Sequence, residues 1–214
     1  MLITKWKLRC TFTEPALGGQ ATRNVTEKYV HEEARKAGIA DEKLEEELDT
    51  LEDRLETLTT TFHKDEAGKP IMWDYHLRGF LKSTGSTFNG EMGVSAIKSK
   101  IDQYLFVFPR RFPLVMPPGS VITFNERPLR ADTAKGPRVA LARSEQVPAG
   151  TMFECELRLL TPGGRKQKGA LSEELVRFLL DYGEYSGMFQ WRNASWGRFI
   201  YELTAVDGRE EILK

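Results

Sequence analysis

The residues best suited to chemistry in this chain are cations and aromatics set among glycines near its end. Gly187-Met188-Phe189-Gln190-Trp191-Arg192-Asn193-Ala194-Ser195-Trp196-Gly197-Arg198 holds two glycines, two arginines and two tryptophans in one short run. Glycine lets backbone approach an anion closely and adopt positive φ. Backbone N–H groups in such a turn make an anion nest. Arg192 and Arg198 would add charge-assisted hydrogen bonds to phosphate, and Trp191 and Trp196 offer flat faces for unpaired bases. The same residues fit a blander role as core tryptophans with a structural arginine rim, and residue types alone leave both readings open.

Other cations fall into two groups. Arg78 and Lys82 lie four apart, which places them on one helix face. They either meet phosphate or form a solvated face. Arg127, Arg130, Lys135 and Arg138, with Arg143 further along, form a second basic run. The histidines are His31, His63 and His76. His76, beside Arg78, is the best placed for general acid–base chemistry, but it lacks the second acid or base that cleavage needs. Cys10 and Cys155 lie in strand-like segments without a CxxC pair, so two reduced, buried thiols are expected. No His/Cys cluster has zinc spacing. No Ser/His/Asp motif, P-loop or Rossmann fingerprint occurs. Neither a metal nor a cofactor is expected.

The elements that must position these residues can be read from periodicity. Residues 3–13 alternate: Trp6, Leu8, Cys10 and Phe12 face one way, and Lys5, Lys7, Arg9 and Thr11 the other. This is a strand with one polar or basic face. Thr26 and Asp41 can cap two helices, the second carrying Leu44, Leu48, Leu51, Leu55 and Leu58 as a narrow apolar stripe. Thr59–His63 and Ile71–Trp73 read as a hairpin around residues 64–69. Asp74 to about Phe88 reads as a helix with Leu77, Phe80 and Leu81 on one face. Gln103–Phe108 reads as a strand. Val121–Phe124 and Val139–Ala142 read as the arms of a long hairpin. Met152–Leu160 alternates again. Pro162–Gly169 is a basic, glycine-rich loop. Ser172 caps a helix carrying Glu173 and Glu174 in its first turn, and Trp196–Ala205 is the last strand. Without the insertions the order is βαββαβ. The expected fold is therefore α+β, with a ferredoxin-like (RRM-like) core, a helical and hairpin insertion at 24–73 and a long β-hairpin at 113–148. Residues 1–214 are expected to form a single domain.

Charge is unevenly spread. The 31 basic and 31 acidic residues cancel, yet residues 40–58 hold nine acids against two bases, a net of −7. The remainder carries 29 bases against 22 acids, a basic body that could meet phosphate. The acidic segment suits a solvated face, a protein-partner surface or an internal mask. No run of about 18 apolar residues exists to cross a membrane. Met1–Lys7 alternates like a strand and lacks a signal's apolar run, so a cytoplasmic location is expected.

Three motifs in order resemble the RAMP proteins. They are the first strand running into Thr13-Glu14-Pro15-Ala16-Leu17-Gly18, the segment Leu77-Arg78-Gly79-Phe80-Leu81-Lys82, and the 187–198 loop continuing into Phe199. Two departures stand out. Trp73-Asp74-Tyr75 replaces the family's Pro-Gly-Ser, and Ser195-Trp196 stands where the loop pattern has a further glycine. The chain is also similar to uncharacterised phage and prophage proteins. The resemblance implies a protein like the backbone subunits of CRISPR ribonucleoproteins. Such a protein would be non-catalytic, would bind single-stranded nucleic acid (RNA favoured) and could self-assemble or join a complex. Arg78, Lys82, Arg127, Arg130, Arg138, Gly187, Trp191, Arg192, Gly197 and Arg198 would be the contact residues. The 113–148 hairpin is similar to the family's thumb by position. Two alternatives remain: a phage anti-defence protein that binds a host effector complex, and an RNA endonuclease using His76.

Overall fold

The computed structural model describes residues 2–21, 59–133, 136–162 and 169–206, with 21 and 129–141 as backbone only. The helices expected from Thr26 and Asp41, the acidic segment 40–58 and most of the 162–169 loop lie outside the described residues. In chain order the elements are β1 (Leu2–Phe12), β2 (Ala16–Leu17), β3 (Gln20–Ala21), β4 (Thr59–Thr61), β5 (His63–Lys64), β6 (Pro70–Trp73), α1 (Asp74–Thr87), α2 (Ile97–Tyr104), β7 (Leu105–Phe108), β8 (Arg111–Pro113), β9 (Thr123–Thr133), β10 (Gly136–Val147), β11 (Met152–Thr161), α3 (Glu173–Asp181) and β12 (Phe199–Ala205). Among the described residues the chain divides into two compact units. One draws on Met1–Ala16, Lys64–Val121 and Val147–Lys214, the other on Leu17–His63 and Ile122–Gln146.

The first unit is built on an antiparallel sheet ordered β12-β1-β11-β7. β1 is paired on both edges: Trp6 lies opposite Leu157 of β11 and Ala205 of β12. The strict alternation of β1 and β11 puts Trp6, Leu8, Cys10, Phe12, Phe153, Cys155, Leu157 and Leu159 in the core. Leu77, Phe80 and Leu81 of α1, Ile97 and Ile101 of α2, and Leu175, Val176, Leu179 and Leu180 of α3 are buried as well. The Phe80 ring meets Phe199 edge-on at 5.0 Å. Both thiols are free and buried, and burial pushes Cys155 up to about 12 and Cys10 upward too. Such thiols are poor nucleophiles.

Local signals explain the helices. Ser172 caps α3, its Oγ accepting from the Leu175 N–H at 3.1 Å. Arg177 pairs with Glu173 one turn back at 2.8 Å and donates to the Leu203 carbonyl at 3.0 Å, tying α3 to β12. Tyr201 adds a hydrogen bond to Asp181 at 2.8 Å. At the start of α1, Asp74 favours the helix dipole, and His76 Nδ1 accepts from the Trp73 N–H at 3.2 Å.

Several strands differ from their expected bounds, the last of them starting at Phe199 and not at Trp196. The strand expected over Gln103–Phe108 begins only at Leu105, because Ile97–Tyr104 is helical. Ile97 and Ile101 bury one helical face, and a Cβ on Gly85 of α1 would lie 2.6 Å from Ile97 Cγ2. That close approach fixes α2 against α1. The hairpin of Thr59–His63 with Ile71–Trp73 forms in part: His63–Lys64 (β5) neighbours β6, with the Asp65 N–H donating to the Lys69 carbonyl at 2.9 Å across the turn. β6 pairs with β8, Trp73 opposite Arg111. Thr59–Thr61 instead joins β3 and β10 in the second unit.

The second unit contains the long hairpin, in register from Thr123 opposite Gln146 to Thr133 opposite Gly136. The first arm, expected over Val121–Phe124, starts at Thr123 and runs on to Thr133, and the second, expected over Val139–Ala142, spans Gly136–Val147. At its base, Gly18 donates to the Glu145 carbonyl at 2.8 Å and Phe62 donates to the Glu145 carboxylate at 2.9 Å. A Cβ at Gly18 would lie 2.4 Å from the Thr61 carbonyl carbon, so only glycine fits.

Phe199→Ala should test how far the sheet depends on this ring. It removes the partner of Phe80 and should cost about 3–5 kcal/mol, seen as a lower urea midpoint at unchanged m-value.

Candidate nucleic-acid interface

The 187–198 loop closes on its own backbone. The Met188 N–H donates to the Gly197 carbonyl at 3.0 Å, and the Gly197 N–H donates to the Pro15 carbonyl at 2.8 Å. A Cβ on Gly187 would lie 1.8 Å from the Trp196 carbonyl oxygen, and one on Gly197 would lie 2.4 Å from that of Met188. Both glycines therefore serve close backbone approach, and the Gly197 N–H is already used within the protein. Phe189, Trp191, Ser195 and Gly197 all have positive φ, between 59° and 72°. Ser195, standing where a glycine was expected, still takes the left-handed conformation, at about 1–2 kcal/mol for a non-glycine residue. Its Oγ accepts from Arg198 Nη2 at 2.5 Å. Trp191 and Trp196 are half-buried, and so is Arg192.

The remaining sequence-derived cations have varied fates. Arg78 and Lys82 share one carboxylate: Arg78 Nη2 lies 3.2 Å and Lys82 Nζ 3.0 Å from Asp102 Oδ1. Arg78 also lies over the Phe106 ring at 5.8 Å. Both cations thus face one carboxylate of α2. In the hairpin, Arg127 stands opposite Ala142, Arg130 opposite Val139 and Arg138 opposite Ala131. Burial lowers the Arg127 guanidinium from its ordinary value. Arg143 pairs with Glu126 at 2.9 Å and covers the Phe124 ring at 4.0 Å. The outer face of the sheet is not a basic stripe. Lys7 and Arg9 reach Glu154 at 2.9 and 2.6 Å, and Arg158 pairs with Glu156. The hydrogen bonds from Lys7 and Arg9 hold the Glu154 carboxyl below its usual range.

Arg110, Arg111 and Arg192 differ from these. None has a carboxylate within 4.0 Å among the described residues. Arg110 and Arg111 follow the end of β7, and their guanidinium carbons lie 5.5 and 5.6 Å from the Trp73 ring centre. From Trp73 an aromatic chain runs inward. Tyr75 stacks beside Trp73 at 6.1 Å, His76 lies 4.4 Å from Tyr75, Phe189 lies 5.0 Å from His76, and Phe12 lies 6.0 Å from Phe189. His76 thus joins the start of α1 to the 187–198 loop. Sequence reasoning missed Arg110, Arg111, Tyr75 and Phe189. The doublet Arg110-Arg111 after Pro109 was a visible signal, but only the β6–β8 register brings it to Trp73. Among the described residues no group of His, Cys, Asp and Glu could hold a metal ion, and no helix is long and apolar enough to cross a membrane.

No protein-family model and no curated protein matches the chain. Solved structures do match. A chain of the Type III-B Cmr-beta complex bound to cognate target RNA aligns with a TM-score of 0.51 at 10% identity, covering 95% of this chain and 61% of that one. A chain of a Type IV-B CRISPR complex aligns with a TM-score of 0.50 at 12% identity, covering 98% and 94%. The fold is similar to that of CRISPR effector complex subunits. At these identities the likeness is one of fold, and this chain spans 61% of the length of the Cmr-beta chain. In this fold, the 187–198 loop leads directly into the edge strand β12.

The loop glycines can be tested against an internal control. Gly68 has positive φ with open space around it, so Gly68→Ala should cost about 1 kcal/mol from conformational strain alone. Gly197→Ala adds a backbone clash and should cost about 2–4 kcal/mol. Urea denaturation of the two variants checks the difference.

Proposed function

We propose that this chain is a RAMP-type, ferredoxin-like nucleic-acid-binding protein that holds single-stranded RNA as a subunit of a CRISPR-related assembly. The sheet order β12-β1-β11-β7, with α1 and α2 before β7 and α3 before β12, supports the ferredoxin-like reading. The fold likeness to chains of CRISPR complexes supports the family reading. The observation that carries binding is the charge left over. Arg9, Arg78, Arg143, Arg158 and Arg177 face carboxylates, whereas Arg192 sits in the glycine-rich loop without one among the described residues. In this reading the loop holds backbone phosphate through Arg192, with Arg198 beside it. The 123–147 hairpin acts as a thumb-like arm carrying Arg127, Arg130 and Arg138. The acidic segment 40–58 faces a neighbouring protein.

The role of His76 in this proposal is structural. Its Nδ1 is taken by the Trp73 N–H, and its ring packs between Tyr75 and Phe189. Cleavage of RNA that His76→Ala abolishes would overturn the non-catalytic reading.

Fluorescence anisotropy with labelled single-stranded RNA over a salt series tests binding. The affinity should fall with salt, with a log–log slope of about −0.7 per phosphate contact. Arg192→Ala should weaken binding several-fold and reduce the slope by about 0.7. Absence of binding to RNA and DNA at about 50 mM salt would sink the proposal.

A further inference from the structure

Trp73 ends β6, and the β6–β8 register sets it opposite Arg111. Asp74 and Tyr75 then begin α1. The Trp73 and Tyr75 rings lie 15° from parallel, and Tyr75 keeps 51% of its surface exposed. A two-χ ring already ordered by Trp73 and His76 has little conformational freedom left to lose on binding. It offers a flat apolar face that every base can stack on. Arg110 and Arg111 are exposed and, among the described residues, lack carboxylates. Their guanidinium forks suit phosphate oxygens.

We propose that Tyr75, backed by Trp73, stacks one unpaired nucleobase of a single-stranded nucleic acid while Arg110 and Arg111 hold the adjoining phosphate. The inference rests on the nucleic-acid reading above and adds to it a site outside the 187–198 loop, one that engages a base as well as backbone. Asp74 is the anion on this element, its Oδ1 accepting from the Tyr75 N–H at 2.9 Å. Its single charge is outnumbered by the two guanidiniums. A protein partner would also use Trp, Tyr and Arg. The net positive charge beside a near-parallel ring pair favours a ligand that alternates anion and aromatic ring, as a nucleotide strand does.

The test uses the full chain with an oligouridine of about twelve nucleotides and an abasic phosphodiester strand of equal charge. Tyr75→Ala should weaken oligouridine binding about tenfold at fixed salt and leave the salt slope unchanged. Tyr75→Phe should stay within about twofold of the parent chain, since stacking needs no hydroxyl. The abasic strand should bind the parent chain and Tyr75→Ala equally. Replacing Arg110 and Arg111 together by Gln should lower the slope by about 0.7 with both strands. If Tyr75→Ala does not fold, Tyr75→Leu keeps apolar bulk without the ring and should show the same loss. Unchanged oligouridine affinity in the folded Tyr75 variants would overturn the stacking site while leaving the nucleic-acid reading intact, and is what a protein-docking surface gives. Failure of the parent chain to bind either strand overturns both.

Discussion

The central position of β1 is the constraint on which the first unit depends. It is hydrogen-bonded on both edges, to β11 and β12, and from Trp6 to Phe12 one face is buried. A strand held this way cannot slip by one residue without turning Trp6, Leu8, Cys10 and Phe12 out to solvent. Its end is fixed as firmly as its middle. The Phe12 ring meets Phe153 and Phe189, the Thr13 N–H donates to the Arg198 carbonyl at 2.8 Å, and the Pro15 carbonyl accepts from Gly197. The glycine-rich loop is thereby docked to the strand that organises the core, and its shape follows from that docking.

The same docking connects the loop to the start of α1. Phe189 reaches His76, whose ring touches Tyr75 and whose Nδ1 caps the Trp73 N–H. Loop, helix start and the β7–β8 turn thus share one aromatic chain. Ion pairs elsewhere consume cations that a charge count treats as available: Arg9 with Glu154, Arg78 and Lys82 with Asp102, Arg177 with Glu173. Exposed pairs of this kind add little stability. Their larger effect is on the surface potential, which each pair flattens around itself.

Much of the scaffold was legible in the sequence because it rests on local periodicity. The alternation of β1 and β11, the cap at Ser172, the apolar face of α1 and the hairpin across 123–147 each follow from neighbours a few residues apart. Strand pairing was less legible. Thr59–Thr61 and Ile71–Trp73 both look like strands, and nothing local states that one joins β10 and the other β8. The helix α2 was missed because eight residues with two buried isoleucines give only a short periodic signal. In the loop, glycine was expected where Ser195 stands; the left-handed backbone persists, so the conformation outlasted the residue type that favours it.

The sequence by itself determined which faces are apolar, where helices begin and how much charge of each sign the chain carries. It did not determine which cations remain unpaired. Arg9 and Glu154 are 145 positions apart and meet only because β1 and β11 are in register. Arg111 meets Trp73 only through the β6–β8 pairing. Short-range electrostatics and ring contacts act over a few ångströms, a distance that sheet register sets and that chain separation does not encode.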